Sequence, residues 1–226
     1  MDDKRESMKP KRAAIDSGSQ DVDELFSRIV TAALEVFSEY SFRDATTDEI
    51  AKRARVSKRD IYARFPNKHA LLAAVINMVL LAGDEKFTQV VSLTQESTSL
   101  RERLEILGLA LINEILSPAT GFLTRLVSSE SINQPQIGVI YFDKGYARRR
   151  DLISQVLSFH MADTSGRTSR SETSQAAKHF LALVTHLPQM TMSVGMRDTW
   201  NSRSVQTHVK RAVGCFLNAY PLLPKD

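Results

Sequence analysis

Apolar residues recur every fourth position from Leu25 through Ile29 and Ala33 to Phe37, with Phe26, Val30 and Val36 widening the stripe. This spacing predicts an amphipathic helix over 21–40. Residues 1–20 ahead of it are polar and read as a flexible arm. Thr46-Thr47-Asp48-Glu49 has capping-box spacing. The Thr46 hydroxyl can accept an orphan backbone N–H and Glu49 can reach back, so a short second helix is expected over 47–54. Ser57 and Asp60 repeat the signal for a third helix from Lys58 to about Phe65, which Pro66 ends, and Asn67 caps a fourth over 68 to about 94. Further on, "ILGLALI" at 106–112 is apolar on all sides, as in a helix at the centre of a bundle. New helices are expected after Pro118 and Pro135, since proline suits a helix's first turn, and "TSGRTSRS" at 164–171 reads as a loop.

The last two helices each carry a broad apolar stripe. In one it is Ala176, Phe180, Leu183, Val184, Leu187, Met190 and Val194; in the other it is Val205, Val209, Ala212, Val213, Phe216 and Tyr220. Leu181 and Met192 lie off the first stripe, and Cys215 and Leu217 off the second, which is more apolar surface than packing on one domain requires. The fold class is therefore all-α. Its expected parts are the arm at 1–20, three N-terminal helices at 21–68 and a helical bundle at 69–226.

Two short helices joined by a tight turn, the second basic and the pair following a longer helix, form a helix-turn-helix arrangement. At 100° per residue Ile61 and Phe65 define the inward face of the third helix, Arg59 and Ala63 lie opposite with Asp60 beside them, and Tyr62 and Arg64 occupy the flanks. Lys58 sits in the first turn, the end that enters the groove in this motif. The outward face suits base edges, because an arginine bonds guanine in two places and an alanine methyl packs on a thymine methyl. The flanks suit phosphates.

Charge sharpens this picture only locally. The chain of 226 residues has a formal net charge of +4, but Lys52, Arg53, Arg55, Lys58, Arg59, Arg64 and Lys68 fall in one window with Asp60 as its only acid. On a helix such a run is by itself more often a solvated face than a binding surface. Lys9, Lys11 and Arg12 in the arm are near enough to reach flanking DNA, against a plain reading of solvated disorder.

An apolar content of 42% with 25% charged residues is that of an ordinary globular protein. The longest apolar run, Ala70 to Ala82, is too short to span a bilayer, and the N-terminus lacks the apolar core of a signal peptide, so no membrane association and a cytoplasmic location are expected. Cys215 is the single cysteine and is expected to be a buried, inert thiol. His179 and His186 share a helix face but stand about 10.5 Å apart, too far to hold one metal ion together. Polar caps on a dimer surface account for the histidines better. No phosphate loop, nucleophile elbow or paired-carboxylate motif occurs, so neither a metal, a cofactor nor an enzyme activity is expected.

From Ile29 the order "IVTAALEVFSEYSFRDATTDEIAKRARVSKRDIYARFPNKHALL" closely resembles the N-terminal domain of the TetR family of bacterial transcription regulators. The resemblance is carried by Phe37, Thr46, Thr47, Ile50, Ala51, Val56, Ser57, Lys58, Ile61, Tyr62, Phe65, Asn67, Lys68, Leu71 and Leu72. From "AAKHFLALVTHL" onward the chain is similar to AefR-like members. The resemblance implies a homodimer on a double-stranded DNA operator, with Tyr62, Lys68 and Thr47 on phosphates. It also implies a dimer interface on the last two helices, for which Leu181, Val184, Met192, Val209, Phe216 and Leu217 are candidates, against their simply closing the bundle. A third implication is a pocket for a small-molecule effector among the central helices. Asn113, Phe122, Tyr141, Phe142, Tyr146 and Phe180 are its candidate lining, each also readable as plain core. Where many members carry Gly and a small polar residue after Val-Ser-Lys, this chain has Arg59 and Asp60, and it has Ala63 where an aromatic is common. Its operator therefore cannot be borrowed from a relative. A ligand-released repressor is the expected function. A small-molecule-binding protein or enzyme with a vestigial helix-turn-helix, and a ligand-independent regulator or activator, are the alternatives.

Overall fold

The structure is a computed structural model that describes residues 17–95, 99–165 and 170–220. Among the described residues it is helical without strands, and the chain divides into two compact units, Met1–Val75 and Ile76–Asp226.

The first unit holds α1 (Ser17–Asp44), α2 (Thr47–Ala54), α3 (Lys58–Arg64) and the start of α4 (Lys68–Leu93), which continues into the second unit. α1 begins inside the stretch read as an arm; the arm's basic residues Lys9, Lys11 and Arg12 lie outside the described residues. The apolar stripe is buried as its spacing requires, with Ile29, Val30, Ala33, Val36 and Phe37 all at 0% exposure. Phe26 stays partly exposed, its ring centroid 5.4 Å from that of Phe65. Near its end α1 is broken at Ser41, whose φ of 67° and ψ of 162° lie in a region that costs a residue with a Cβ about 1–3 kcal/mol.

Local polar contacts set where α2 and α3 begin and end. The Thr46 hydroxyl accepts the Glu49 N–H at 3.2 Å, but Glu49 does not reach back; its carboxylate lies 3.5 Å from the Arg53 guanidinium. Arg55, in the left-handed conformation at φ 55°, closes α2, and Arg28 of α1 donates to the Ala54 and Arg55 carbonyls there. Ser57 and Asp60 form a reciprocal capping box at the start of α3. Asn67 Oδ1 accepts the Ala70 N–H and so caps α4.

In the second unit the rest of α4 is followed by α5 (Leu100–Leu116), α6 (Pro118–Glu130) and α7 (Pro135–Tyr141). A π-helical segment, Phe142–Ala147, joins α7 to α8 (Arg148–Ser165); α9 (Arg170–Ser193), a 3₁₀ turn at Arg197–Thr199 and α10 (Ser202–Ala219) complete the unit. Pro118 and Pro135 stand at first-turn positions, and the middle of the 164–171 loop lies outside the described residues. α5 is packed against α9 and α10, although Ile106 at its edge is 38% exposed. Gly108 permits this approach: a methyl group there would come within 2.9 Å of Val209 Cγ1. Pro188 inside α9 has no N–H to give the Val184 carbonyl, and His208 of α10 donates its Nε2–H to that oxygen at 3.0 Å. His208 therefore repairs a helix instead of capping a dimer surface.

Within the single chain the interface candidates on α9 and α10 are buried, and on α9 part of the expected stripe is exposed instead. Leu181, Val184, Met192, Val209, Phe216 and Leu217, expected at a dimer interface, are each 4% exposed or less within the single chain. The large apolar residues left open on α9 and just past its end are Leu183, Leu187, Met190 and Val194, at 42, 50, 52 and 65%. The reason is that α9 turns a face of small and weakly polar residues inward, namely Thr173, Ala177, Thr185, Pro188 and Thr191. Their hydroxyls satisfy themselves on nearby helix carbonyls, as Thr185 does on Leu181 and Thr191 on Leu187, so they are buried at little cost. Cys215, expected to be buried, is exposed.

Candidate nucleic-acid interface and internal cavity

The capping box sets the first turn of α3, and Ile61 and Phe65, buried at 2 and 5%, set its rotation. Lys58, Arg59, Tyr62 and Ala63 consequently stand exposed, with Asp60 and Arg64 half-buried between the faces. Tyr62 Oη lies 3.3 Å from Thr47 Oγ1, so α2 and α3 bring their two candidate phosphate contacts together.

Four side chains, Asp60, Lys68, Arg53 and Lys58, differ from expectation. The Asp60 carboxylate accepts the Ser57 N–H at 2.9 Å and the Ser57 hydroxyl at 2.6 Å, which holds its pKa below the usual carboxylate value; it serves the cap and does not point free on the outward face. Lys68 donates to the Ala45 and Arg43 carbonyls at 2.7 and 3.1 Å and lies over the Phe42 ring, where its charge suits a helix C-terminus. The basic window is also weaker than its composition suggests. Arg53 contacts Glu39 at 2.6 Å as well as Glu49 and Glu35, and Lys58 pairs with Asp48 at 2.7 Å, the hydrogen bond to Asp48 raising the lysine's pKa. Those acids lie outside the window and were invisible to a count within it.

The second unit contains a cavity of ≈ 120 Å³. Of the six expected lining residues, Tyr141 and Tyr146 line it. Asn113 is exposed, because α5 turns its neighbour Glu114 to the cavity instead. Phe142 is exposed and stacks on Tyr146 with centroids 5.3 Å apart, Phe180 is a core residue packed edge-on against Phe216, and Phe122 does not reach the wall.

Arg149, within the charged run "ARRRD" at 147–151, is not among the expected site residues. It is 5% exposed and lines the cavity. Its Nε and one terminal nitrogen fork onto Glu114 at 3.2 and 2.9 Å, the other terminal nitrogen bonds Asp84 at 2.9 Å, and its guanidinium lies over the Phe87 ring. Gly83 leaves room for this fork, since a Cβ there would fall 2.6 Å from Glu114 Oε1. The π-helical segment lies between Tyr141 and Arg149, and such bulges re-aim side chains at functional sites.

A short capped helix-turn-helix with an exposed outer face, and a separate helical unit containing a cavity, are the parts of a DNA-binding transcription regulator. Family comparison makes this specific. Residues 29–75 match the model for bacterial regulatory proteins of the TetR family, and residues 102–221, more than half of the chain, match the AefR-like transcriptional repressor C-terminal domain. The chain belongs to the TetR family. It is 30% identical over 83 residues to the uncharacterized HTH-type regulator YuxN of Bacillus subtilis, and 40% identical over 52 residues to the HTH-type regulator RutR of Escherichia coli. Those segments cover 35 and 23% of this chain, and the chain spans only 28 and 24% of those two relatives' lengths. Whole-chain similarity lies in the fold. A TetR-family regulator from Mesorhizobium loti aligns over 88% of this chain and 97% of its own with a TM-score of 0.80 at 20% identity. The flavonoid-responsive regulator FrrA aligns over 87 and 97% at 0.67 and 23% identity, and FadR of Bacillus subtilis, solved with stearoyl-CoA, over 84 and 97% at 0.62 and 14%. Among the described residues no single helix is long and apolar enough to cross a membrane, and no group of three or more His, Cys, Asp or Glu side chains is placed to hold a metal ion.

Proposed function

We propose that the protein is a dimeric repressor that a small-molecule effector releases from a near-palindromic operator. The observation that carries this reading is the exposed face of α3, where Arg59 and Ala63 stand outward on a helix whose rotation is set by buried Ile61 and Phe65. Arg59 reads base edges, Tyr62 and Thr47 take phosphates, and Lys58 exchanges its partner Asp48 for the DNA backbone. Lys68 acts mainly by holding the end of α1.

One α3 covers only a few base pairs, so useful specificity needs two copies held at a fixed half-site spacing. Leu183, Leu187, Met190 and Val194 supply the seam: they repeat at intervals of four and three on one side of α9, the pattern that packs helix against helix. The cavity supports an effector, as do the two similar structures whose names carry one, a flavonoid and stearoyl-CoA. An effector releases DNA only if it binds the DNA-incompetent arrangement more tightly than the competent one, and α4, common to both units, is the element that carries the difference. A gel-shift titration on the DNA upstream of the protein's own gene and its neighbour tests the reading. It predicts a sequence-specific complex of two chains that weakens steeply with salt. Equal affinity for unrelated DNA would instead favour a small-molecule-binding protein with a vestigial helix-turn-helix.

A further inference from the structure

The part of the cavity wall formed by Glu114, Thr124 and Tyr141 is one-sided in its hydrogen-bonding capacity. Thr124 Oγ1 donates its hydrogen to the Thr120 carbonyl at 2.9 Å and also lies 2.8 Å from Tyr141 Oη. A threonine hydroxyl has one hydrogen, so Tyr141 donates to Thr124, and its oxygen presents only lone pairs to the cavity. The Thr185 and Ser193 hydroxyls are likewise committed, to the Leu181 and Met190 carbonyls at 2.8 Å each. Glu114 accepts two N–H groups from Arg149 and keeps unused lone pairs on both oxygens. Burial pushes the Tyr141 pKa up and the Glu114 charge adds to that, so the phenol stays protonated. Around Glu114 and Tyr141 the wall offers acceptors and asks for a donor, while Tyr146 and Gln189 carry donors elsewhere along it.

Charge narrows the choice further. Arg149 and Arg148 together face Asp84 and Glu114, which balances the cluster and leaves no surplus positive charge for an anion. A carboxylate entering here would meet the carboxylate of Glu114, while a cation would meet the guanidinium of Arg149. The remaining surface is apolar, including Leu111, Leu123, Leu181 and Met192, and a volume near 120 Å³ is on the scale of a single aromatic ring.

We infer that the cavity takes an uncharged monocyclic aromatic bearing a hydroxyl donor, a simple phenol, whose O–H is received by Glu114 and Tyr141. This rests on reading the cavity as the effector site and names the chemical class that the site selects.

The test is calorimetry and thermal unfolding of the full chain with 4-methylphenol, toluene and 4-methylbenzoate. The expected result is that 4-methylphenol raises Tm and binds about tenfold more tightly than toluene, the worth of one hydrogen bond at a desolvated site, while 4-methylbenzoate binds more weakly than either. In Glu114→Gln the wall carries a surplus positive charge, and preference should move toward 4-methylbenzoate by at least tenfold. A purely structural role for Glu114 would weaken all three ligands equally, which would overturn its assignment as the recognition residue. Tyr141→Phe, which leaves the ion-pair cluster intact, should shrink the gap between 4-methylphenol and toluene without helping the acid. If 4-methylbenzoate bound native protein as tightly as 4-methylphenol, the phenol class would be wrong while the cavity remained an effector site. If none of the three bound, both the class and the effector reading would fall.

Discussion

Arg59 on α3 and Arg149 on α8 carry the same guanidinium into opposite surroundings. Arg59 is exposed on a seven-residue helix whose own cap and two buried side chains set its direction. Arg149 is 5% exposed and held by carboxylates from α4 and α5, far away in sequence. In water a guanidinium is free to find a partner such as a base edge or phosphate. In a largely buried wall its partners are built in, as Asp84 and Glu114 are for Arg149. Arg59 can be replaced without disturbing its helix, whereas replacing Arg149 leaves two carboxylates without this partner.

The largest effect that follows is on stability. Arg149→Leu removes the cation between Asp84 and Glu114, both largely shielded from water, and should cost about 3–5 kcal/mol in a denaturant titration. Arg59→Ala should leave the same titration unchanged within about 0.5 kcal/mol. Equal losses would erase the distinction between the two sites.

Next comes assembly. Leu187→Glu combined with Met190→Glu places charges on residues that are half exposed in the single chain, so sedimentation should give folded monomers with operator affinity reduced roughly a hundredfold or more. Leu181→Glu, at 2% exposure, should instead unfold the second unit. A dimeric, DNA-competent Leu187/Met190 double variant would move the interface elsewhere.

His208→Ala leaves the Val184 carbonyl beside Pro188 without its donor, and a loss of about 1–3 kcal/mol is expected by thermal unfolding. His208→Gln, which retains an N–H donor, should recover part of it.

The smallest effect belongs to the first unit. Ser41→Gly relieves a positive φ at the break in α1 and should add about 1 kcal/mol, reduced by loss of the Ser41 hydroxyl's bond to Asp44. Destabilisation would mean that this local hydrogen bond outweighs the backbone strain.

The two regions also differ in how far the chain's pattern discloses them. Thr46, Ser57 and Asn67 act on atoms three residues away, so the limits of α2, α3 and the start of α4 were legible from spacing alone, and with them the outward placement of Arg59, Tyr62 and Ala63. Where the first unit departed from expectation, at Lys68, Arg53 and Asp60, each ion or hydrogen bond ended on a group that a helical wheel of α3 cannot display. In the second unit the rotation of α9 depended on threonines and a proline that count as weakly apolar or breaking, yet are buried because their polar atoms are satisfied within the helix or by His208. The cavity depended on pairings across 35 and 65 residues, Arg149 with Glu114 and with Asp84, for which no periodic signal exists. Tyr141 and Tyr146 border the cavity, but aromatic content alone could not separate them from the core position of Phe180.

The central claim is that two copies of α3 read DNA at a fixed spacing, and the most direct measurement is selection of binding sites by the full chain from randomised duplex DNA at near-physiological salt. The account predicts enrichment of a near-palindrome whose half-sites lie about one helical turn, or a multiple of it, apart. It also predicts that Arg59→Ala loses preference at matching positions in both half-sites. Enrichment of an isolated half-site, an unchanged motif with Arg59→Ala, or no enrichment at all would contradict it.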